Sequence, residues 1–104
     1  MENEKLYEIT AYTENHVGLL MSIAGIFARR SINIEKLLVY PSRIEGVHKF
    51  KILARTTERN AQAVILQIEK RVDVIKAYCR EDDERSLREK EDVIRILEER
   101  ENEQ

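Results

Sequence analysis

Apolar and polar positions along the chain switch period several times, and each switch marks an element. Residues 5–13 (KLYEITAYT) alternate, with Tyr7, Ile9 and Ala11 on one side and Glu8 and Thr10 on the other, which predicts a strand. Glu14-Asn15-His16-Val17-Gly18 breaks the alternation. Residues 19–30 then set Leu19, Leu20, Ile23, Ile26 and Phe27 at helical spacing and close on Arg29-Arg30, where the helix dipole favours cations. Residues 31–40 (SINIEKLLVY) return to strand, Pro41 ends it, and residues 42–46 form a turn. Residues 47–55 alternate most cleanly, His48, Phe50, Ile52 and Ala54 against Lys49, Lys51 and Arg55. One dry and one wet face is the mark of an antiparallel sheet covered on one side. Thr57 or Asn60 caps a second helix reaching residue 70, with Ala61, Val64, Ile65 and Ile68 as its buried stripe, and Val72, Val74, Ile75 and Ala77 mark a fourth strand ending near Cys79.

The order strand, helix, strand, strand, helix, strand predicts an α+β fold of ferredoxin-like type. Its four antiparallel strands carry two helices on one face, and right-handed crossovers leave few other topologies. This domain covers residues 1–79. Residues 80–104 form a charged helical tail: Asp82 and Asp83 are candidate N-caps, and Glu81/Arg85, Glu84/Arg88 and Glu91/Arg95 are acid-before-base pairs four apart. Leu87, Ile94 and Leu97 give the predicted helix over residues 82–100 a narrow apolar strip. A lone helix of about 20 residues is marginal in water, so this one packs on something or frays.

Composition sharpens this division. The chain has 104 residues, 42% hydrophobic and 37% charged, so the core is modest. A domain near this size buries only about 60–65% of its unfolded surface, which makes association a natural expectation. The second strand carries few of the charges that protect an exposed edge, and a homodimer through that sheet edge is expected. The net charge is −2, giving no basic field toward nucleic acid or membrane. The average hides an asymmetry: residues 1–79 hold 12 basic and 9 acidic side chains, residues 80–104 hold 6 and 11. A single cysteine, Cys79, excludes an internal disulfide, and only His16 and His48 are available as imidazoles, so neither a structural zinc nor a histidine triad is expected. No apolar run reaches the ~20 residues of a membrane span, and the start, Met1-Glu2-Asn3-Glu4, does not read as a signal peptide; a cytoplasmic location is expected.

Candidate chemistry concentrates between the first strand and first helix. Unpaired N–H groups at a helix start attract anions, Gly18 lets a carboxylate or phosphate approach the backbone, and Asn15 can donate and accept at once. The competing reading is a turn glycine with an N-capping asparagine; no phosphate-loop motif accompanies it. His48 lies in an apolar register and reads as a satisfied, half-buried histidine. Lys49, Lys51 and Arg55 make a basic stripe without the interleaved aromatics of an RNA-binding sheet, and Cys79 lacks a partner base. No pair of groups divides acid and base roles, so an enzyme is not expected.

Residues 14–39 (ENHVGLLMSIAGIFARRSINIEKLLV) carry a recognisable pattern. Glu14, Asn15, Gly18, Leu20, Ala24, Gly25, Phe27, Arg30, Asn33, Ile34, Glu35 and Leu37 match E-N-x-P-G-x-L followed by A-G-L-F-x-x-R-G-Y-N-I-E-S-L, and residues 67–77 (QIEKRVDVIKA) match a second block. In these segments the chain resembles the ACT domain of acetolactate synthase (acetohydroxyacid synthase) small regulatory subunits, over about residues 5–79. It departs at Val17, where the pattern has proline, and at Ser31, where it has glycine.

The resemblance implies a non-catalytic regulatory subunit that pairs side by side with its own copy. It would bind and activate the catalytic large subunit and make it sensitive to feedback inhibition by valine. Thiamine diphosphate, magnesium and FAD would belong to the catalytic subunit and no cofactor to this chain. Matched positions imply a valine site built from Asn15, His16, Val17, Gly18, Leu19 and Leu20 of the loop, with Asn33 and Ile34 from a facing second strand. The alternative is a stand-alone ACT amino-acid sensor acting on a different enzyme.

Overall fold

The computed structural model describes residues 3–14, 18–82 and 91–102. The elements run β1 (Lys5–Glu14), α1 (Leu19–Arg29), β2 (Ile34–Pro41), β3 (Val47–Thr56), α2 (Glu58–Glu69), β4 (Val74–Glu81) and α3 (Glu91–Asn102). The strands form one sheet in the order β2-β3-β1-β4, with every neighbouring pair antiparallel. Both helices lie on one face: Leu19, Ile23 and Phe27 of α1 and Val64 and Ile68 of α2 share a core with Ile9, Phe50 and Ile52. The ferredoxin-like arrangement predicted from the period changes is the observed one.

Boundaries shift where backbone geometry overrides side-chain pattern. The second strand begins at Ile34 and not at residue 31, because Ser31 and Ile32 terminate α1. Ser31 N–H donates to Ala28 O at 3.0 Å and Ile32 N–H to Phe27 O at 2.9 Å, with Ser31 left-handed at φ 57°. This is a Schellman ending, and Ile32 buries against the core that also holds Phe27, as that motif favours. Val72 belongs to a turn, 102% exposed, and β4 starts two residues later. Of the two caps proposed for α2, Thr57 is the one used: its Oγ1 accepts from Asn60 N–H at 3.1 Å. Asp82 N–H donates to Leu6 O at 2.9 Å and continues the sheet, the residues it would cap lie outside the described ones, and α3 runs Glu91–Asn102. Asp83 and Leu87 lie outside the described residues.

The uncovered face of the sheet departs from a simple wet face. The β1–β3, β1–β4 and β2–β3 registers set Lys36, Lys49, Lys51, Arg55, Lys76 and Arg80 there. Yet Glu8, Thr10 and Leu53 on the same face are buried. The central strand is roofed by the long side chains of its neighbours, which lie along it and keep their charged ends in water. Arg80 Nε donates to Glu8 Oε1 at 3.1 Å under this roof. Tyr12, Tyr40 and Tyr78 also stand on this face, which corrects the expectation of a basic stripe without aromatics. Lys49 Nζ sits 5.3 Å from the Tyr12 ring centroid, and its hydrogen bond holds the Tyr12 phenol below its usual range.

Candidate functional site

The end of β1, the start of α1 and the β2–β3 pair enclose a cavity of about 110 Å³ lined by Thr13, Glu14, Gly18, Leu19, Leu20, Val39, His48 and Phe50. Gly18 is the N-cap of α1 at φ 89°, with no side-chain cap bond and no acid in the first turn. Its carbonyl accepts from Ser22 N–H at 3.2 Å, so the N–H groups of Leu19, Leu20 and Met21 precede the first intrahelical bond and face outward. A carboxylate placed there meets donors and the positive end of the helix dipole together. A β-carbon on Gly18 would touch nothing within 4 Å, so the position demands glycine for its left-handed backbone and not for space.

Two polar atoms in the cavity wall have no partner among the described residues. Thr13 and His48 face one another across the β1–β3 ladder, and Thr13 Oγ1 and His48 Nδ1 are both buried with no hydrogen-bond partner among the described residues. Thr13 is 0% exposed. A buried polar group left unpaired costs about 1–3 kcal/mol, so two side by side in a cavity wall make it a candidate place for a bound polar group. His48 is half-buried as expected, its Nδ1 has no partner among the described residues, and Thr13 is a wall residue that the sequence pattern hid.

The candidate residues fall into three groups. Gly18, Leu19 and Leu20 line the cavity; Leu19 also belongs to the core, while Leu20 is exposed. Asn33 and Ile34 stand at the opposite end of β2. Five residues of strand separate Ile34 from Val39 in the cavity wall, roughly 16 Å, so one chain does not bring both halves together. Asn15, His16 and Val17 lie outside the described residues. The N-capping role considered for Asn15 lies outside them too, and the N-cap position itself is held by Gly18. Burial and nearby Glu58 push the Cys79 thiol up, which disfavours its thiolate. Among the described residues no cluster of three or more His, Cys, Asp or Glu is arranged to hold a metal, and no helix is long and apolar enough to cross a membrane.

Similar solved structures define the class. The chain superposes on the ACT domain from GTP pyrophosphokinase of Chlorobium tepidum with a TM-score of 0.64, over 75% of this chain and 100% of that one, at 14% identity. It superposes on the acetolactate synthase small subunit from Thermotoga maritima with a TM-score of 0.66, over 72% of this chain and 47% of that one, at 24% identity. The fold is that of an ACT domain. The model of the AHAS small subunit-like ACT domain matches residues 9–76. The acetolactate synthase isozyme 1 small subunit of Escherichia coli K12 is 33% identical over 69 residues, 66% of this chain and 71% of that protein. The chain belongs to the family of acetolactate synthase small subunit-like ACT domains. It spans 40% of the probable acetolactate synthase small subunit of Methanothermobacter thermautotrophicus, at 38% identity, and 44% of its Archaeoglobus fulgidus counterpart, at 31%.

Proposed function

We propose that this chain is a non-catalytic regulatory subunit that binds an acetolactate synthase catalytic subunit, activates it, and confers feedback inhibition by valine. The observation that carries the reading is the cavity at the start of α1, where open backbone donors and two buried polar atoms with no partner among the described residues meet apolar walls. A free amino acid has the matching chemistry. Its carboxylate accepts from the N–H groups after Gly18, its ammonium donates toward Thr13 Oγ1 and His48 Nδ1, and a small branched side chain meets Leu20, Val39 and Phe50.

Asn33 and Ile34 enter this reading through a second copy. Strand β2 is an edge strand, and two-fold antiparallel pairing with its own copy, centred near Leu37, sets residues 33–35 of the second copy beside residues 39–41 of the first. Asn33 then closes the cavity that Gly18 opens. In this reading the bond-making chemistry and its thiamine diphosphate, magnesium and FAD stay with the catalytic subunit.

Calorimetric titration with valine, on wild type and on Gly18→Asp, tests this. Aspartate tolerates the left-handed backbone better than most residues, so the variant stays folded, while its fixed negative charge repels the ligand carboxylate. Binding by wild type and its loss in Gly18→Asp are expected, and a catalytic complex carrying the variant escapes valine inhibition. Equal affinity in the two removes the cavity from the site, and no binding by wild type assigns the chain to the stand-alone sensor class.

A further inference from the structure

The uncovered sheet face presents a second, separate surface. A groove of about 580 Å³ opens there between Tyr12, Tyr40, Ile44, Val47 and the rim cations Arg43 and Lys49. Ile44 overhangs it from the β2–β3 turn, and Leu38, Tyr40 and Tyr78 stay exposed beside it. Around this apolar centre the strands set six basic side chains against three acids, Glu8, Glu14 and Asp82, and Glu8 is already engaged by Arg80. The face therefore suits a ligand that is apolar along one line and acidic beside it.

The chain carries such a ligand. Segment α3 (EDVIRILEEREN) holds five acids against Arg95 and Arg100, with Ile94 and Leu97 three apart in the sequence, and Leu97 is 45% exposed. Twelve residues of helix are about 18 Å long, close to the roughly 15 Å width of four strands. Net negative charge on residues 80–104 opposes net positive charge on the body. Because the same chain leaves both the groove and Leu97 exposed, the complementary pieces of one copy do not satisfy each other.

We infer that the open sheet face is a docking surface for the acidic C-terminal helix of a second copy of this chain. Apolar side chains of the helix enter the groove between Tyr12, Tyr40 and Ile44, and its carboxylates meet Lys49, Lys51 and Lys76. The inference is independent of the valine site on the covered side of the sheet.

A charge-swap mixing experiment on the full chain tests it. Isotopically light and heavy chains are mixed and treated with a zero-length carbodiimide cross-linker. Expected are amide links from Lys49, Lys51 or Lys76 of one mass to Glu98, Glu99 or Glu101 of the other, lost near 1 M salt, where the screening length is about 3 Å. Lys51→Glu/Lys76→Glu abolishes them, as does Glu98→Lys/Glu99→Lys, with far-UV circular dichroism unchanged in both. Mixing the two variants restores links between them, because each then offers the charge the other lacks. Three outcomes overturn the proposal: no face-to-helix links in wild type, links only within one mass, which would make the contact intramolecular, or links that both variants retain. Competition of the wild-type links by a single-stranded RNA oligonucleotide, with no rescue on mixing, would reassign the face to nucleic acid.

Discussion

At the residue scale, Thr13 sets a fully buried hydroxyl opposite His48 with no partner among the described residues for either polar atom, in a wall otherwise apolar. In the proposed site such an arrangement trades stability for recognition. Thr13→Val keeps the shape of the side chain, removes the unpaired hydroxyl and suits a central strand. It is expected to raise the unfolding free energy of the ligand-free protein by about 1 kcal/mol in denaturant titration, and to weaken valine binding in calorimetry. Ser31 offers the opposite case, a cost without a function in view. A non-glycine residue held left-handed costs about 1–2 kcal/mol, part of which glycine returns through its freer unfolded chain. Ser31→Gly is therefore expected to stabilise by about 0.5–1 kcal/mol, a rise of several degrees in Tm for a domain of this size. Thr13 did not announce itself in the sequence. A threonine in an alternating strand reads as ordinary, and its meaning depends on which residue the register sets across from it. The glycine-for-serine departure from the family pattern was visible, and the φ of 57° shows why the pattern has glycine there.

At the scale of elements, the period changes carried most of the information. The alternation of residues 47–55 reappears as β3, and the apolar stripes of α1 and α2 pack where their spacing puts them. Ends were harder to read. The run SINIEKLLVY is continuous in composition, and only the hydrogen bonds of Ser31 and Ile32 reveal that its first residues finish a helix. The cap of α2 was legible as a choice of two, and the structure selects Thr57. Thr57→Ala is expected to destabilise by about 1 kcal/mol through loss of the bond from Asn60 N–H, and Thr57→Ser to recover most of it, in chemical denaturation. The open face was legible only in part, because Tyr12, Tyr40 and Tyr78 come from three strands and meet only once the registers are known. The basic members, Lys49 and Lys51, lie two apart on one strand and showed from spacing alone.

At the scale of the whole molecule, the sheet has two edges, and they are unequal. Strand β4 carries Lys76, Arg80 and Glu81, the kind of charges that discourage strand addition. Strand β2 is exposed along nearly its whole length although Leu37, Leu38, Val39 and Tyr40 occupy its middle, an apolar edge that a single chain leaves in water. Pairing two such edges about a two-fold axis would remove the exposure, satisfy the outer backbone groups and join the two halves of the proposed valine site. Leu37 sits near the centre of β2, so the axis brings it close to its own copy. Leu37→Glu would therefore set two carboxylates against each other across the new ladder, where like charges directly opposite are destabilising, while in an isolated chain the side chain has water beside it. The wild type is expected to sediment as a dimer at tens of micromolar, and Leu37→Glu as a folded monomer. In the proposed dimer Asn33 and Gly18 meet only across the axis, so the monomeric variant is expected to lose valine affinity although every cavity residue is intact. A monomeric wild type would remove the edge pairing, and a monomeric Leu37→Glu that still binds valine with unchanged affinity would confine the site to one chain.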